Sequence, residues 1–409
     1  MIISIPDDVN QIINTLNLNG HEACIVGGCV RDSIMGVTPK DWDITTSAQP
    51  HQVTEIFPRT FETGIKHGTV TVLIGRQGYE VTTYRIDGTY LDSRRPQSVT
   101  FTTSIEEDLS RRDFTMNAIA YSPCNGFTDP FGGQADIAKK IIRCVGNADC
   151  RFGDDALRML RAVRFAGQLG FTIDAVALAA IGSRRSSLAN ISVERIRDEL
   201  VRLITSPYVV AVSLLESTCL LPYVLAGHAF DGDLHQAIRL LEKCPMQANL
   251  RLTVLLACSG GDYRQILRDL RFDNKTVRDV SLYADWLHAT IIHNRYEIKK
   301  YLRQMPQVYN DENSPGQAPQ RYFENLLILK SLFYPDDANR LEAIRGEAID
   351  ILASGECYNL RDLLVKGEDL IAAGVPRGRE IGDKLEELLD AVMHDPAKNM
   401  YFYNCYRKK

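Results

Sequence analysis

Nowhere in this chain do two cysteines stand in CxxC spacing, and the closest pairs, Cys24/Cys29 and Cys144/Cys150, suit neither a zinc knuckle nor a disulfide framework. The ten cysteines read as reduced thiols of a cytoplasmic protein. No apolar run approaches the roughly 18 residues that a membrane helix needs, so no membrane association is expected. The opening MIISIPDDVNQ carries acids where a secretory signal would carry positive charge. Basic excess is missing too: 47 Lys and Arg against 52 Asp and Glu leave a net charge of −5. That excludes a globally basic nucleic-acid coat and leaves only local clusters for a polyanionic partner. The eight histidines are isolated, none with an i,i+4 partner for zinc. Internal repeats and low-complexity segments are absent.

What is present is a chain of 409 residues, 45% hydrophobic and 24% charged, long enough for several domains with their own cores. The first third is mixed. Ala23 to Val26 is a short apolar run stopped by Gly27-Gly28. Gly68 to Ile74 alternates threonine with branched residues before the turn Gly75-Arg76-Gln77-Gly78, which predicts a hairpin. Tyr79 to Ile86 follows as one strand, with Glu80, Thr82 and Tyr84 on one face and Val81, Thr83 and Arg85 on the other. From about Asp154 the pattern turns helical, through Leu157, Leu160, Val163, Leu200, Leu203, Leu214 and Leu215 to a late amphipathic helix at Ile381, Leu385, Leu388, Leu389 and Val392. Asp311 to Gln320 is rich in turn formers and reads as a linker. The fold class expected is α+β, a mixed head followed by helices.

Chemistry concentrates at Ile25-Val26-Gly27-Gly28-Cys29-Val30-Arg31-Asp32 and Asp41-Trp42-Asp43. A strand ending in Gly-Gly and opening a helix offers backbone N–H groups at Gly28, and Arg31 adds a cation, an arrangement suited to a triphosphate. If Asp41-Trp42-Asp43-Ile44 is a strand, Asp41 and Asp43 project from one face, where a divalent cation relieves their repulsion. Glu80 is a third acid on the neighbouring strand. Oxygen ligands with room for water and phosphate indicate Mg2+.

These motifs resemble the bacterial class II tRNA nucleotidyltransferases, the CCA-adding enzymes, and their relatives the bacterial poly(A) polymerases, within the polymerase-beta superfamily. The likeness runs through Lys66-His67-Gly68-Thr69-Val70, Arg111-Arg112-Asp113-Phe114-Thr115-Met116-Asn117-Ala118 and Asp129-Pro130-Phe131-Gly132-Gly133. It continues in Leu157-Arg158-Met159-Leu160-Arg161-Ala162-Val163-Arg164-Phe165 and Glu194-Arg195-Ile196-Arg197, and fades near Gly374 to Leu389. It implies a polymerase-beta-like catalytic head at 1–148, a base-reading neck at 149–205, a helical body at 206–312 and a tRNA-binding tail at 313–409. It also implies addition of CMP and AMP to the 3′ end of tRNA from CTP and ATP, with no protein partner. The alternatives are A-only addition to tRNA ending in CC, and a poly(A) polymerase, which the acidic balance disfavours.

Asp154-Asp155-Ala156-Leu157-Arg158 is expected to open a helix with its acids in the first turn. A carboxylate beside a guanidinium presents an acceptor next to donors. Cytosine and adenine both offer an amino group beside a ring nitrogen and match it, whereas uracil and guanine present the reverse order and leave polar groups unpaired. By the resemblance Asp155 and Arg158 hold this role, while Asp154 stands where the family usually has Glu. Arg158, Arg161 and Arg164 form a basic stripe suited to the nucleotide. The resemblance brings Arg112 and Asp113 to the sugar, whose 2′-OH distinguishes ribonucleotides. Glu194 to Glu199 reads as a charged helix that stiffens the neck. Pro376-Arg377-Gly378-Arg379 suits RNA backbone phosphates. The segment 87–96 resembles a flexible loop that CC-only enzymes lack, and Gly88 to Pro96 is expected to govern the switch from C to A addition.

Some relatives add a hydrolase domain marked by a His-Asp pair. Leu252 to Cys258 holds neither residue, so no phosphohydrolase activity is expected.

Overall fold

Alternating branched and polar residues in the first third build a seven-stranded sheet, seen in a computed structural model that describes residues 2–88, 98–306 and 318–407. Its strands are β1 (Ala23–Val26), β2 (Ile44–Thr46), β3 (Thr60–Gly64), β4 (Thr69–Ile74), β5 (Gln77–Thr83), β8 (Ala120–Ser122) and β9 (Gly126–Thr128), in the order β3-β4-β5-β2-β1-β8-β9. All neighbours are antiparallel except β2 and β5. Between them in sequence, β6 (Arg85–Asp87) and β7 (Val99–Phe101) form a separate ribbon.

Register sorts the side chains. Ile25, Ile44, Val81 and Val70 stand side by side across four strands, each at most 1% exposed, and α1 (Asp7–Leu18) and α3 (Pro50–Ile56) pack on the sheet there. The opposite face carries the row Cys24, Thr45, Thr82, Thr69. The expected hairpin is β4 and β5, with Ile74 paired to Gln77 across Gly75-Arg76 and Gly75 at φ +60°.

The expected single strand over 79–86 breaks at Tyr84. This residue keeps the face of Cys24 and Thr82 but buries completely, its backbone N–H donating to the Thr46 carbonyl at 2.8 Å, while Arg85 starts the ribbon. Tyr84 packs with Cys24, Val26, Ile105, Leu109, Ala118, Ala120 and Val145. The ring is buried in this core and its hydroxyl lies 3.6 Å from the Cys24 thiol.

The segment Asp129-Pro130-Phe131-Gly132-Gly133 acquires a physical explanation. The Asp129 carboxylate accepts from the backbone N–H groups of Gly133 (2.6 Å) and Gln134 (2.9 Å), capping a helix between Gly133 and Lys139. A Cβ built on Gly133 falls 2.2 Å from the Thr115 carbonyl oxygen, so the helix sits against the 115–117 turn only with glycine there. Strands β10 (Ile141–Ile142) and β11 (Thr172–Ile173) pair in parallel just beyond.

Contacts divide the chain into two units, one of residues 2–238 and 258–273, the other of 239–257 and 274–407. In the first, the sheet is followed by α6 (Ala148–Asp154), α7 (Leu157–Leu169), α8 (Ala175–Arg184) and α9 (Val193–Ile204). The expected helix opening at Asp154 is two helices instead: Asp154 ends α6, and Asp155, at φ −138°, is the extended connection. The second unit is helical, with Lys299, 1% exposed, held by Glu356 at 2.6 Å and by the Met393 carbonyl at 2.9 Å. Of the expected linker, 311–317 lie outside the described residues, and Ala318 to Gln320 already belong to the helix Ala318–Phe333. No helix among the described residues is long and apolar enough to cross a membrane.

Replacing Gly133 by Ala is expected to destabilise the first unit by about 1–3 kcal/mol through overpacking against Thr115. Urea unfolding followed by tryptophan emission checks this, and an unchanged midpoint would refute the close approach.

Candidate active site

Val26 ends β1, and Gly27, at φ +82°, turns the chain into α2 (Gly28–Ile34). A side chain at Gly27 would stand 2.8 Å from Nη1 of Arg112, so glycine is what lets that guanidinium approach. Gly28 opens α2. Asp41 and Asp43 precede β2 and are not within it, since regular strand begins at Ile44. Asp43 still extends the ladder, because the Val26 N–H donates to its carbonyl at 3.0 Å. The pairing of Ile44 with Val81, carried back one residue, sets Asp43 opposite Glu80 on the face opposite α1 and α3.

Asp43 keeps surface open to solvent but is crowded by protein. That loss of water raises its pKa, against the pull of Arg112, and Asp41 raises it further. A carboxylate so placed is one that a divalent cation would relieve, and oxygen donors fit a hard ion. Glu80 is exposed on β5, and among the described residues no three His, Cys, Asp or Glu side chains gather as a metal-holding group. The head therefore offers the pair Asp41 and Asp43 for a metal.

Around this pair the arginines are engaged. Arg31, 8% exposed, donates through Nε and Nη2 to Asp32 (2.9 and 2.6 Å) and through Nη1 to Asn117 (2.7 Å). Asp113 accepts at Oδ1 from the Phe114 N–H (2.8 Å) and Asn117 Nδ2 (3.1 Å), and at Oδ2 from Nε (2.9 Å) and Nη2 (2.5 Å) of Arg161. Burial alone would raise its pKa. The Arg161 charge and the hydrogen bonds from Arg161 and Asn117, with Arg158 beyond, overcome this and hold the Asp113 carboxyl down at about 2. Asp113 is a spent acceptor that ties α7 to the head. Arg112 is the most loosely held: Nη1 lies 3.5 Å from the Asn117 carbonyl and Nη2 3.6 Å from Asp108. Asp108 is fully buried, and its Oδ1 takes Nε and Nη2 of Arg111 at 3.0 and 2.7 Å.

The expected stripe on α7 is divided among different partners. Arg164, 5% exposed, is a core residue paired with Glu199 of α9 at 2.5 Å. Arg161 goes to Asp113. Arg158 donates to the carbonyls of Arg111 (3.0 Å) and Arg151 (3.3 Å) and lies 3.6 Å from Asp154. Asp155 does not pair with Arg158: its Oδ1 caps the Leu157 N–H at 3.0 Å, and its Oδ2 accepts from Nη2 of Arg195 at 2.8 Å. Arg195, expected only to stiffen the neck, thus fixes the carboxylate. Asn117 and Asp108 also went unread as site residues. Nothing in sequence spacing marks Arg195, which lies 40 positions from its partner.

Of the loop over Gly88 to Pro96, only Gly88 lies within the described residues. Arg379 starts the helix Arg379–His394 with its side chain 91% exposed, 3.7 Å from Asp383.

Comparison with known proteins relates the chain to a family. A model described as the poly A polymerase head domain covers residues 23–143, and one described as the probable RNA and SrmB-binding site of polymerase A covers 170–230. The CCA-adding enzyme of Geobacillus kaustophilus is 37% identical over 395 residues, 95% of this chain and 93% of its own. That of Lactiplantibacillus plantarum is 36% identical over 400 residues, 95% and 92% of the two chains. The crystal structure of the Bacillus stearothermophilus CCA-adding enzyme in complex with CTP is 31% identical and superposes with a TM-score of 0.81 over 99% of this chain and 100% of that one.

The depressed pKa of Asp113 sets a pH dependence. Its stabilising contribution is complete above the unfolded-state value of about 3.9 and is lost as pH falls towards about 2. Asp113→Asn, which leaves Arg161 without its counter-charge, is expected to cost about 3 kcal/mol at pH 7. Denaturant titrations at several pH values check this: the gap from wild type should shrink between pH 4 and pH 2, and a constant gap would contradict the assignment.

With the fold, the motifs and full-length relatives in agreement, the chain belongs to the family of CCA-adding enzymes and is a nucleotidyltransferase.

Proposed function

We propose that this chain adds CMP and then AMP to the 3′ end of tRNA, drawing on CTP and ATP and releasing pyrophosphate. The observation that carries the reading is the crowded pair Asp41 and Asp43, next to Arg112 and on the same unit as a fixed Asp155, within a chain whose relatives match it over 95% of its length. In the reaction the terminal hydroxyl oxygen bonds to the α-phosphorus, the bond to pyrophosphate breaks, and the hydroxyl proton is lost. Asp41 and Asp43 would hold Mg2+, which when bound supplies positive charge at the phosphates and eases loss of the proton. The residues assigned to the nucleotide are Gly28, Arg31, Arg112, Asp113, Asp155, Arg158, Arg161 and Arg164, with Glu80 as a further acid at the catalytic pair. Of these, Arg31 and Asp113 act by bracing, since their polar atoms already have partners, and Arg164 does so through its buried pair with Glu199.

Base choice follows from Asp155 as acceptor and Arg158 as donor. Asp155 retains lone pairs after capping Leu157 and binding Arg195. The division into a head at 1–148, a neck at 149–205, a body at 206–312 and a tail at 313–409 is part of this reading, with the tail meeting tRNA. So is a cytoplasmic setting, in keeping with ten cysteines that are all free.

Transcripts ending at the discriminator base, at C or at CC, supplied with CTP and ATP singly and together, test the function. All three are expected to reach CCA. Extension of the CC transcript alone would replace the reading with A-only addition, and unlimited adenylation would replace it with poly(A) synthesis. Asp41→Ala and Asp43→Ala should each lower addition at least about a thousandfold while tRNA affinity in a filter assay holds, a loss of the size seen when a main electrostatic contributor is removed; a few per cent of residual activity would refute their role. Separately, Asp155→Ala should relax selection against UTP and GTP by about 1–3 kcal/mol, read as a broadened product in four-nucleotide competition. An unchanged preference at lower rate would leave Asp155 a purely structural cap.

A further inference from the structure

One phenyl ring lies among three guanidiniums. The Phe165 centroid is 5.3 Å from Arg31, 5.5 Å from Arg161 and 3.9 Å from Arg164, and the ring is 6% exposed. Each cation has its own carboxylate: Asp32 at 2.6 Å, Asp113 at 2.5 Å and Glu199 at 2.5 Å. Three like charges around one buried ring repel one another. Three counter-charges offset this, and the negative face of the ring adds attraction that strengthens where water is excluded.

The cluster closes on itself. Arg31 of α2 binds Asn117, Asn117 binds Asp113, Asp113 binds Arg161 of α7, and Arg161 and Arg31 both meet the ring. Phe114 packs edge-on against it at 5.8 Å. Arg31 stands on α2, the helix that follows the Gly27 turn and whose Cys29 Sγ lies 3.9 Å from the Asp43 carbonyl. Arg161 and Phe165 stand on α7, which carries Arg158 in its first turn and whose Leu157 N–H is capped by Asp155 just ahead of the helix.

We propose that Phe165 is a positioning residue that sets the head's carboxylate pair against the neck's base-reading end. This rests on the functional reading above. A nucleotide held by its phosphates at the head and its base at the neck spans both, so binding depends on their spacing being fixed beforehand. Phe165 touches no substrate in this scheme and acts through Arg31 and Arg161.

The test replaces Phe165 in the full chain with phenylalanines bearing one, two and three ring fluorines, which drain the negative face with little change of shape. KM for CTP and ATP should climb stepwise, to about five- to thirtyfold at three fluorines, with kcat and tRNA affinity held within narrow limits and only a modest fall in melting temperature. Direct CTP binding by calorimetry should weaken in parallel, and it reads the ring even if no transfer to tRNA is found, so failure of the functional reading stays distinct. Phe114→Leu loosens the same core without removing a cation contact and should lower the melting temperature with nucleotide KM unchanged. A flat KM and flat CTP affinity across the fluorine series would overturn the proposal. So would an equal rise of KM in Phe114→Leu, or loss of tRNA affinity in step with nucleotide affinity.

Discussion

The buried carboxylate of Asp113 is the constraint on which the first unit depends. Two oxygens take four hydrogen bonds from three directions: the chain just after it, Asn117, and Arg161 on α7. A charge this deep is tolerable only when paired and fully hydrogen-bonded, and removing any one donor leaves a desolvated acceptor. The requirement propagates. Arg161 must lie where α7 brings it, Asn117 must present its other end to Arg31, and Arg31 fixes α2 next to the Gly27 turn. The sheet end and α7 are thereby joined in one polar network, stiffer than apolar packing alone would make them.

Against that rigid background Asp43 and its neighbour Asp41 stand in the opposite situation. Asp43 has lost water without gaining a hydrogen-bonded cation, its neighbour Asp41 carries the same charge, and Arg112 acts on it from beyond contact distance. Arg112 is itself underused, with Nε buried and no hydrogen-bond partner found for it. The molecule thus satisfies Asp113 from within and leaves Asp41 and Asp43 open to solvent, where on the proposed reading they would hold the metal. Two carboxylates of similar sequence context separate in pKa, one down at about 2 and the other raised, by whether a guanidinium is in contact.

Much of this was legible in the sequence because it is local. Alternation over 69–74 and the glycine turn set β4 and β5, and the Gly-Gly and Asp-x-Asp motifs mark the end of β1 and the start of β2. What was hidden depends on partners distant in the chain. Tyr84 ends its strand and fills a core shared with Ile105 and Ala118, partners that lie far along the chain. The Asp154–Asp155 boundary falls between two helices because Asp155 prefers to cap Leu157 and meet Arg195. The stripe of Arg158, Arg161 and Arg164 has the right spacing, but the carboxylates that claim two of them come from residues 113 and 199. Spacing gives a face of a helix; only tertiary structure says which charge stands opposite.

Selection without a template makes that last distinction matter. Two side chains that read a base edge must reject the wrong base by leaving its polar groups unpaired, and a mobile carboxylate would turn to meet any donor. Asp155 lacks that freedom. One oxygen is bound by the first turn of α7 and the other by Arg195 of α9, while α9 is itself locked to α7 by the buried Arg164–Glu199 pair. The acceptor is therefore aimed by the helix it caps, and its direction can change only if α7 and α9 move together. On the proposed reading, discrimination between bases is a property of this packing as much as of the two side chains, and it is strongest where the neck is least able to yield.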